Sequence, residues 1–290
     1  GFFGNVYWVF DLFAHFREYY LLLFFLLFFI VLWLKKWLLT IFSILLFGMN
    51  AVSLVSFYIP PKQKNFVSPK LVVYSANVQT KNTQYHVVSD QIEEIQPDII
   101  VLSEVNTQWV EEMKKLNSQY PYVLVPSILK RDEILMMSKY KLNNESIIPL
   151  GNLGRLNLIA SIRLDETDIT IIASHPLPPV SKRLAGNRDS QLDDVEKLII
   201  NQKQPTLLLG DLNITPFSYQ YRKLIKKAGL THCSKGFGLP RTWQHSIFIF
   251  PIPLSLDHCL YTKGIIVSES YVGKDIGSDH LPIINVIHAD

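Results

Sequence analysis

Asp211 and Asn213 lie two residues apart, directly after a run of three leucines at 207–209. The run predicts a short buried strand, and Gly210 lets the backbone leave it. In extended backbone, side chains two residues apart leave from the same side. One is a carboxylate that can bind a cation or accept a proton, and the other is an amide that can accept and donate. The pair suits phosphoester hydrolysis with a hard cation, although Asp and Asn are also ordinary turn formers.

Three further polar side chains follow predicted strands. Asn77 and Glu104 each end a short β-branched run, and His175 follows a third run in a loop stiffened by prolines. Ligands of α/β sheets gather beyond the carboxyl ends of the strands. We therefore expect these side chains near Asp211, although a histidine considered alone is more often structural.

Other candidate residues lie in the second half of the chain. Asp257 opens a predicted strand, and the pair Asp279-His280 precedes the apolar strand that closes the domain. Arg188 falls in the first turn of a helix predicted over 187–200, where the helix dipole disfavours a cation. That position indicates an anionic partner such as a substrate phosphate, with a solvated arginine as the alternative.

The predicted elements around these residues are those of an α/β or layered α+β enzyme. From residue 71 the chain alternates strand and helix, and from residue 122 short strands follow one another with little helix between them. Residues 71–290 are long enough for one domain with a single core. Residues 60–70 are predicted to be a polar, proline-containing linker.

Several other functions are disfavoured. No Gly-x-Ser-x-Gly run indicates a serine hydrolase. His232-Cys233 and His258-Cys259 lack the paired-ligand spacing of a zinc site. After residue 60 the chain has 25 Lys and Arg against 23 Asp and Glu, and this formal net charge of +2 is too small to indicate a nucleic-acid-binding surface. The two cysteines permit one disulfide in an oxidising compartment without requiring it.

Two uncharged apolar runs, 19–34 and 37–59, are separated only by Lys35 and Lys36. Each is close to the roughly 20 residues that cross a bilayer core, and aromatic side chains lie near their ends. We therefore predict a transmembrane helical hairpin within a membrane segment, 1–59. A buried hairpin in a soluble protein is the alternative. The apolar residues before the hairpin are expected to be an interfacial segment or, since the chain does not begin with Met, the remainder of an earlier span.

Two groups of lysines near the hairpin favour opposite orientations in the membrane. The Lys35-Lys36 turn favours the cytoplasm and thereby an outer position for the domain, whereas Lys62, Lys64 and Lys70 favour the opposite. We expect the domain on the outer side, because the two-lysine turn is the shorter loop.

With these residues assembled, residues 71–290 resemble the endonuclease/exonuclease/phosphatase superfamily, and most closely its membrane-anchored bacterial branch. Six motifs carry the resemblance, in this order: Asn77; Pro97-Asp98-Ile99 to Glu104; Ser174-His175-Pro176; Gly210-Asp211-Leu212-Asn213; Asp257-His258; and Ser278-Asp279-His280. The leader 11–17 and the hairpin after it resemble the same branch. Each motif is weak alone, but the ordered set is specific. The resemblance implies a bacterial inner, or cytoplasmic, membrane protein, and the outer side that we expect from the two-lysine turn would then be the periplasm.

The resemblance also implies the fold and the cofactor. The fold would be an α/β (α+β) arrangement of the DNase I-like type, a four-layer α/β/β/α sandwich of two sheets, here preceded by the transmembrane hairpin. The cofactor would be Mg²⁺, with Mn²⁺ as a substitute, because Mg²⁺ binds one or two carboxylates and substrate phosphate. Its implied ligands are Asn77, Glu104 and Asp279.

The remaining roles are implied residue by residue. Asp211 would orient or deprotonate the attacking water, and Asn213 would hydrogen-bond the scissile phosphate. His280 would contact the phosphate or act as the general base, with Asp257 fixing its tautomer. His175 would stabilise the transition state from the other side. The sequence leaves open which histidine is acid or base, and whether one or two metals bind.

Together these predictions describe a membrane-anchored, divalent-metal-dependent phosphoesterase that hydrolyses a phosphodiester. Its substrate would be a lipid head group or a nucleic acid. The alternative is a catalytically silent, membrane-anchored binding domain that retained the fold.

Overall fold

The computed structural model describes residues 4, 6–60, 70–129, 132–244, 246–247 and 250–290, so residues 61–69 of the predicted linker lie outside the described residues. Helices α1 to α7 are, in order, Trp8–Leu12, Arg17–Trp33, Trp37–Val55, Tyr85–Ile95, Thr107–Met113, Lys182–Ile200 and Tyr219–Ala228. Strands β1 to β14 are Lys70–Asn77, Ile99–Val105, Tyr122–Leu124, Glu133–Ser138, Asn143–Leu150, Arg155–Leu164, Thr167–Ala173, Thr206–Asp211, Thr231–His232, Ser246–Ile247, Phe250–Pro251, Asp257–Tyr261, Ile265–Val272 and Ile283–Ala289. Short 3₁₀ turns span Phe13–Phe16 and Lys114–Leu116.

Two six-stranded sheets form the domain. Their strand orders are β13-β14-β1-β2-β4-β3 and β5-β6-β7-β8-β12-β9. Both sheets are mixed, because β1 pairs in parallel with β2, and β7 pairs in parallel with β8. A parallel pair needs a long crossover, usually a helix, and α4 and α6 supply these two crossovers.

Apolar side chains divide into three packed layers. Leu207 and Leu209 face the core between the two sheets, whereas Leu208 faces α6 and α7. Successive side chains of a strand point to opposite faces, so a strand covered on both faces needs an unbroken apolar run. Helices α4 and α5 cover the outer face of the first sheet. This order confirms the predicted four-layer α/β/β/α sandwich.

Helix α6 differs from its predicted range. It begins at Lys182 rather than at residue 187, and the Ser181 hydroxyl caps it by accepting from the backbone N of Leu184. Arg188 therefore lies in the second turn, and the predicted first-turn placement is wrong. The error arose because residues 182–187 show no apolar periodicity, although Ser181 is a good N-cap residue.

Helices α2 and α3 form a hairpin with a turn at Leu34–Lys36. Trp8–Trp33 and Trp37–Val55 are long and apolar enough to cross a membrane by length and composition, and only 11% and 17% of their apolar windows are buried. So much exposed apolar surface does not fit the alternative of a hairpin buried in a soluble core. Helix α3 ends at Val55 rather than at the predicted residue 59, because residues 56–58 form a turn.

The segment that precedes α2 packs against the domain. The Asp11 carboxylate accepts from the Ser218 hydroxyl at 2.5 Å and from the backbone N of Tyr219 at 2.6 Å. These donors form the first turn of α7, where the helix dipole favours a negative charge. The His15 Nδ1 lies 2.8 Å from the Thr215 hydroxyl. The segment is therefore tied to the loop and helix that follow β8.

Cys233 and Cys259 form a disulfide, with their Cα atoms 5.4 Å apart, in the core between the sheets. The neighbouring His232 and His258 rings lie against each other, with Nε2 and Nδ1 3.0 Å apart. Neither His-Cys pair is arranged as a zinc site.

Candidate active site

The predicted site residues meet at one edge of the two sheets. In the first sheet, β1 ends at Asn77, and Glu104 is the next-to-last residue of the parallel strand β2. In the second sheet, β8 ends at Asp211, and His175 follows the parallel strand β7. Because the sheets pack face to face, these four side chains converge.

Antiparallel neighbours bring two more residues to the same place. Asp257 is the first residue of β12 and pairs directly with Asp211 in the ladder between β12 and β8. His280 lies shortly before β14, which pairs with β1, and forms a backbone bridge with Trp243. An antiparallel strand begins where its neighbour ends, so its first residues join the cluster.

Glu104 takes an unusual backbone conformation. Its φ is +60°, and the register of β2 against β4 shifts between Ser103 and Val105. A bulge re-aims a side chain, and here it directs Glu104 toward the second sheet. The Asn77 Nδ2 donates to Glu104 Oε1 at 2.8 Å and to Asp211 Oδ2 at 3.0 Å. Asn77 therefore bridges the carboxylates of the two sheets.

Asp211 occupies the centre of the cluster. Its Oδ2 lies 3.7 Å from the Nε2 atoms of both His175 and His280. Its Oδ1 accepts from the backbone N of Asn213 at 2.8 Å. Burial raises the pKa of Asp211 to about 6, against the opposing effect of the two histidines. A carboxyl with a pKa near neutrality is suited to proton transfer.

His280 and Asp257 form a buried pair, with Nδ1 and Oδ2 2.7 Å apart. Burial alone would lower the pKa of His280, but Asp257 and Asp211 raise it to about 10. Burial alone would raise the pKa of Asp257, but His280 holds it below its usual range. His280 is therefore an imidazolium at neutral pH, with Nδ1 toward Asp257 and Nε2 toward Asp211.

His175 is buried, and its Nε2 has no hydrogen-bond partner among the described residues. This atom lies 3.7 Å from Asp211 Oδ2 and 3.9 Å from Glu104 Oε1. Burial lowers the pKa of His175, so the ring is neutral at neutral pH. A buried polar atom without a partner calls for an explanation, and a ligand between these three side chains provides one.

Asn213 connects the loops that carry Asp211 and His175. Its φ is +52°, and its Nδ2 donates to the carbonyl of Pro176 at 2.9 Å. The side chain thus fixes the distance between the exits of β7 and β8. Its predicted contact with the scissile phosphate would be made in addition to this positioning contact.

Arg188 has a different partner from the one predicted. Its guanidinium pairs with Asp11 at 3.4 Å and with Asp189 at 2.7 Å, and 1% of its side chain is exposed. Nη1 also approaches the carbonyl of Asn213 at 3.4 Å, from behind the loop. The anionic partner therefore exists, but it is a carboxylate of the chain rather than a substrate phosphate.

Asp279 lies beside the cluster rather than within it. Its Oδ2 accepts from the indole of Trp243 at 3.1 Å, and this tryptophan is half-buried. Among the described residues, two groups have ligand atoms within 4.8 Å of one another: Glu104, His175 and Asp211, and Asp211, Asp257 and His280. Asp279 belongs to neither, so the prediction of Asp279 as a metal ligand lacks support.

The first of these groups fits a hard divalent cation. Glu104 and Asp211 supply carboxylate oxygens, which are the ligands that Mg²⁺ prefers, and His175 faces both. Asn77 is oriented differently from the prediction, because its Oδ1 accepts from the backbone N of Gln79 at 3.0 Å. In this arrangement Asn77 orients Glu104 and Asp211 through its Nδ2, and its role as a metal ligand stays a prediction.

A cleft of about 440 Å³ lies over the cluster. Its lining includes Leu12, Phe16 and Trp243, none of which was predicted to be a site residue. The leader motif 11–17 was a signal for the first two. Their position follows only from contacts that span about 200 residues of sequence, such as that between His15 and Thr215.

Comparisons with known proteins bear on the family and the fold. Residues 74–280 match the model of the Endonuclease/Exonuclease/phosphatase family. TDP2 from D. rerio, solved with a single-strand DNA product, is 18% identical over 76% of this chain and 99% of that chain, with a TM-score of 0.63. The human Nocturnin catalytic domain with bound sulfate is 17% identical over 80% and 100%, with a TM-score of 0.62. An endonuclease/exonuclease/phosphatase from Beutenbergia cavernae is 19% identical over 76% and 72%, with a TM-score of 0.60. A comparison with curated proteins gave no match.

Proposed function

Because the chain belongs to the endonuclease/exonuclease/phosphatase family, we propose that it is a membrane-anchored, divalent-metal-dependent phosphoesterase that hydrolyses a phosphodiester. One observation carries this proposal. The Asp211 Oδ2 lies 3.7 Å from the Nε2 atoms of two histidines, and the Asp211 and Glu104 carboxylates are close enough to bind the same cation. The similar D. rerio TDP2 was solved with a DNA product, which supports a phosphoester substrate.

Glu104 and Asp211 would hold the cation, which we propose is Mg²⁺ with Mn²⁺ as a substitute. When bound, the cation neutralises negative charge on the phosphoryl oxygens and the leaving group. Burial raises the pKa of both carboxyls, so ionisation of the pair is unfavourable without a positive partner. His175 would face the transferred phosphoryl group and the same carboxylates.

Asp211 would orient and deprotonate the attacking water. The water oxygen forms a bond to phosphorus, the bond from phosphorus to the leaving oxygen breaks, and that oxygen takes a proton from solvent. The products are a phosphomonoester and an alcohol. His280, protonated and held by Asp257, would donate to a phosphoryl oxygen, where a preorganised donor stabilises developing charge. Asn213 would add a second donor.

The two apolar helices support the membrane anchor. The disulfide between Cys233 and Cys259 supports the predicted outer side, because structural disulfides persist in oxidising compartments.

The test compares Asp211→Asn, Asn213→Ala and a control, Asp90→Asn, which lies exposed on α4. The full chain is reconstituted in lipid nanodiscs and assayed with bis(p-nitrophenyl) phosphate and Mg²⁺ or Mn²⁺. At a saturating concentration of the cation, Asp211→Asn should lower kcat by about 10²–10⁴-fold, the usual contribution of a positioned proton-transfer group, with KM nearly unchanged. Asn213→Ala should change kcat and KM together. Asp90→Asn should match the wild type, and EDTA should abolish activity.

If Asp211→Asn and His280→Ala both matched the wild type on a broad phosphoester panel, the chain would be the silent binding domain instead. Equal defects in KM alone for Asp211→Asn and Asn213→Ala would contradict the division of roles between them.

A further inference from the structure

The cleft over the candidate site has two chemically different parts. The polar part consists of His15 and the site residues Glu104, Asp211, Asn213, Asp279 and His280. The remaining lining is apolar and includes Leu12, Phe16, Val180, Trp243, Leu254 and Leu256. Hydrolysis of the phosphoester itself uses only the polar part.

Part of the apolar wall comes from the segment that enters the membrane hairpin. Phe16 directly precedes the first residue of α2, and Leu12 is the last residue of α1. This segment is held against the domain by Asp11, which binds Ser218 and Tyr219. The wall is thus fixed relative to the loop that starts at Asp211.

Another part of the lining is tied to the same end of the hairpin. The Tyr19 hydroxyl donates to the carbonyl of Pro253 at 3.0 Å, next to Leu254. Arg241 pairs with Glu18 at 2.6 Å, close in sequence to Trp243. Glu18 and Tyr19 lie in the first turn of α2, so the cleft lies where that apolar helix begins.

Charge around the cleft does not suit a polyanionic ligand. None of the side chains that line it in the described part of the chain is Lys or Arg. Nucleic-acid binding is dominated by contacts of Lys and Arg with phosphates. A polar cluster beside an uncharged apolar wall instead suits one phosphate attached to an apolar group.

Resting on the proposed function, we propose that the substrate is an amphiphilic phosphodiester whose apolar chain lies against Leu12 and Phe16 while its phosphate lies at Asp211. The hairpin would hold the cleft at the membrane surface, where such a substrate presents its head group. The leader would then serve as a wall of the substrate site as well as a connection to the anchor.

The test uses p-nitrophenyl alkyl phosphodiesters with methyl, butyl and octyl chains, below their micellar concentrations, and the full chain in nanodiscs with Mg²⁺. For the wild type, kcat/KM should rise with chain length by up to about fourfold per buried methylene. Phe16→Ala should lower the octyl-to-methyl ratio of kcat/KM about tenfold, the lower end for loss of a buried aromatic side chain. Phe16→Leu should retain most of the ratio.

Phe13→Ala is the matched control. Phe13 lies in the same 3₁₀ turn as Phe16, but 56% of it is exposed and it does not line the cleft. This variant should keep the wild-type ratio, even though both variants remove a phenyl ring close to the membrane.

Three results would overturn the inference alone: a wild-type ratio near one, equal loss in Phe13→Ala and Phe16→Ala, or faster hydrolysis of a single-stranded DNA oligonucleotide than of the octyl ester. Absence of p-nitrophenol release from every ester, with Mg²⁺ and with Mn²⁺, would overturn the proposed function as well.

Discussion

At the residue scale, the pair of His280 and Asp257 links protonation to folding. The imidazole is buried with its Nδ1 2.7 Å from a fully buried carboxylate. A histidine in an unfolded chain titrates near pH 6.5, whereas the pKa of His280 in the fold is about 10. The proton is therefore bound more tightly in the folded state, and the pair stabilises the fold only while the imidazole is charged.

We predict a pH dependence for Asp257→Asn, measured on the metal-free full chain. The contribution of the pair is fully present below about pH 6.5 and is lost as the pH rises through the folded pKa near 10. The variant should therefore melt below the wild type at pH 7, and the difference in Tm should shrink toward pH 10. Asp90→Asn should show no such convergence. A difference that stayed constant with pH would contradict the ion pair.

The motifs predicted which side chains meet, but not how they contact one another. Predicted strand termini accounted for Asp211, Asp257 and His280, but the direct pairing of Asp257 with Asp211 is seen only in the structure. The partners of Arg188 and Asp279 could not be predicted in this way. Asp11, a partner of Arg188, lies in the leader, and Trp243, a partner of Asp279, lies in a loop. Neither the leader nor this loop has a periodic pattern in the sequence.

At the element scale, Gly210 sets how closely β8 approaches the chain after β7. Its φ is +129°, and a Cβ at this position would lie 2.2 Å from the carbonyl oxygen of Ser174. That oxygen belongs to backbone immediately before His175, so it cannot move without moving the site. The glycine is required by space as well as by conformation.

We predict that Gly210→Ala destabilises the protein by at least about 1–3 kcal/mol, the range of strained backbone at functional sites, and lowers kcat as well. Gly186→Ala is the matched control, because a Cβ there meets nothing within 4 Å on helix α6. That change should stabilise by about 0.5–1 kcal/mol. Chemical denaturation measures both. Equal effects of the two substitutions would show that the contact with Ser174 is unimportant.

Docking of the leader depends on a buried charge. Asp11→Ala would leave the Arg188 guanidinium, 1% exposed, with Asp189 as its remaining carboxylate. We predict a loss of about 3 kcal/mol, the low end for removing one partner of a buried pair, or a Tm lower by about 6–12 °C. Glu18→Ala breaks a pair whose arginine is 52% exposed, so it should cost less than about 1 kcal/mol. Similar shifts in Tm for both variants would contradict the inference that the buried pair of Asp11 and Arg188 holds the leader against the domain.

At the scale of the whole molecule, the hairpin, the leader and the sandwich form a continuous packed unit. Ala14 and Leu54, from either side of the hairpin, share an apolar cluster with Phe57, Phe217 and Leu239. The four-layer sandwich could be predicted from the resemblance that the six ordered motifs carry, and the change from alternating strand and helix to successive short strands fits it. This cluster could not, because apolar residues next to a membrane helix look the same in sequence whether they face lipid or protein.

We predict that the domain lies on the outer side when the chain is produced in a bacterial inner membrane. Protease added to intact spheroplasts should digest it, and inverted vesicles should protect it. PEG-maleimide should leave Cys233 and Cys259 unmodified until a reductant is added, since both are in the disulfide. Protection of the domain from protease in spheroplasts would instead place it on the inner side.

The docked leader has a practical consequence for anyone who wishes to crystallise the enzyme or screen inhibitors. The usual shortcut is to delete an anchor and purify the water-soluble remainder. Here a fragment that starts after residue 60 would lack Asp11, Leu12 and Phe16, and with them one of the two carboxylates that pair with Arg188 and one side of the cleft. In such a fragment the cleft would be open on one side. Compounds selected against the fragment would therefore bind a cavity that differs from the cleft of the intact enzyme.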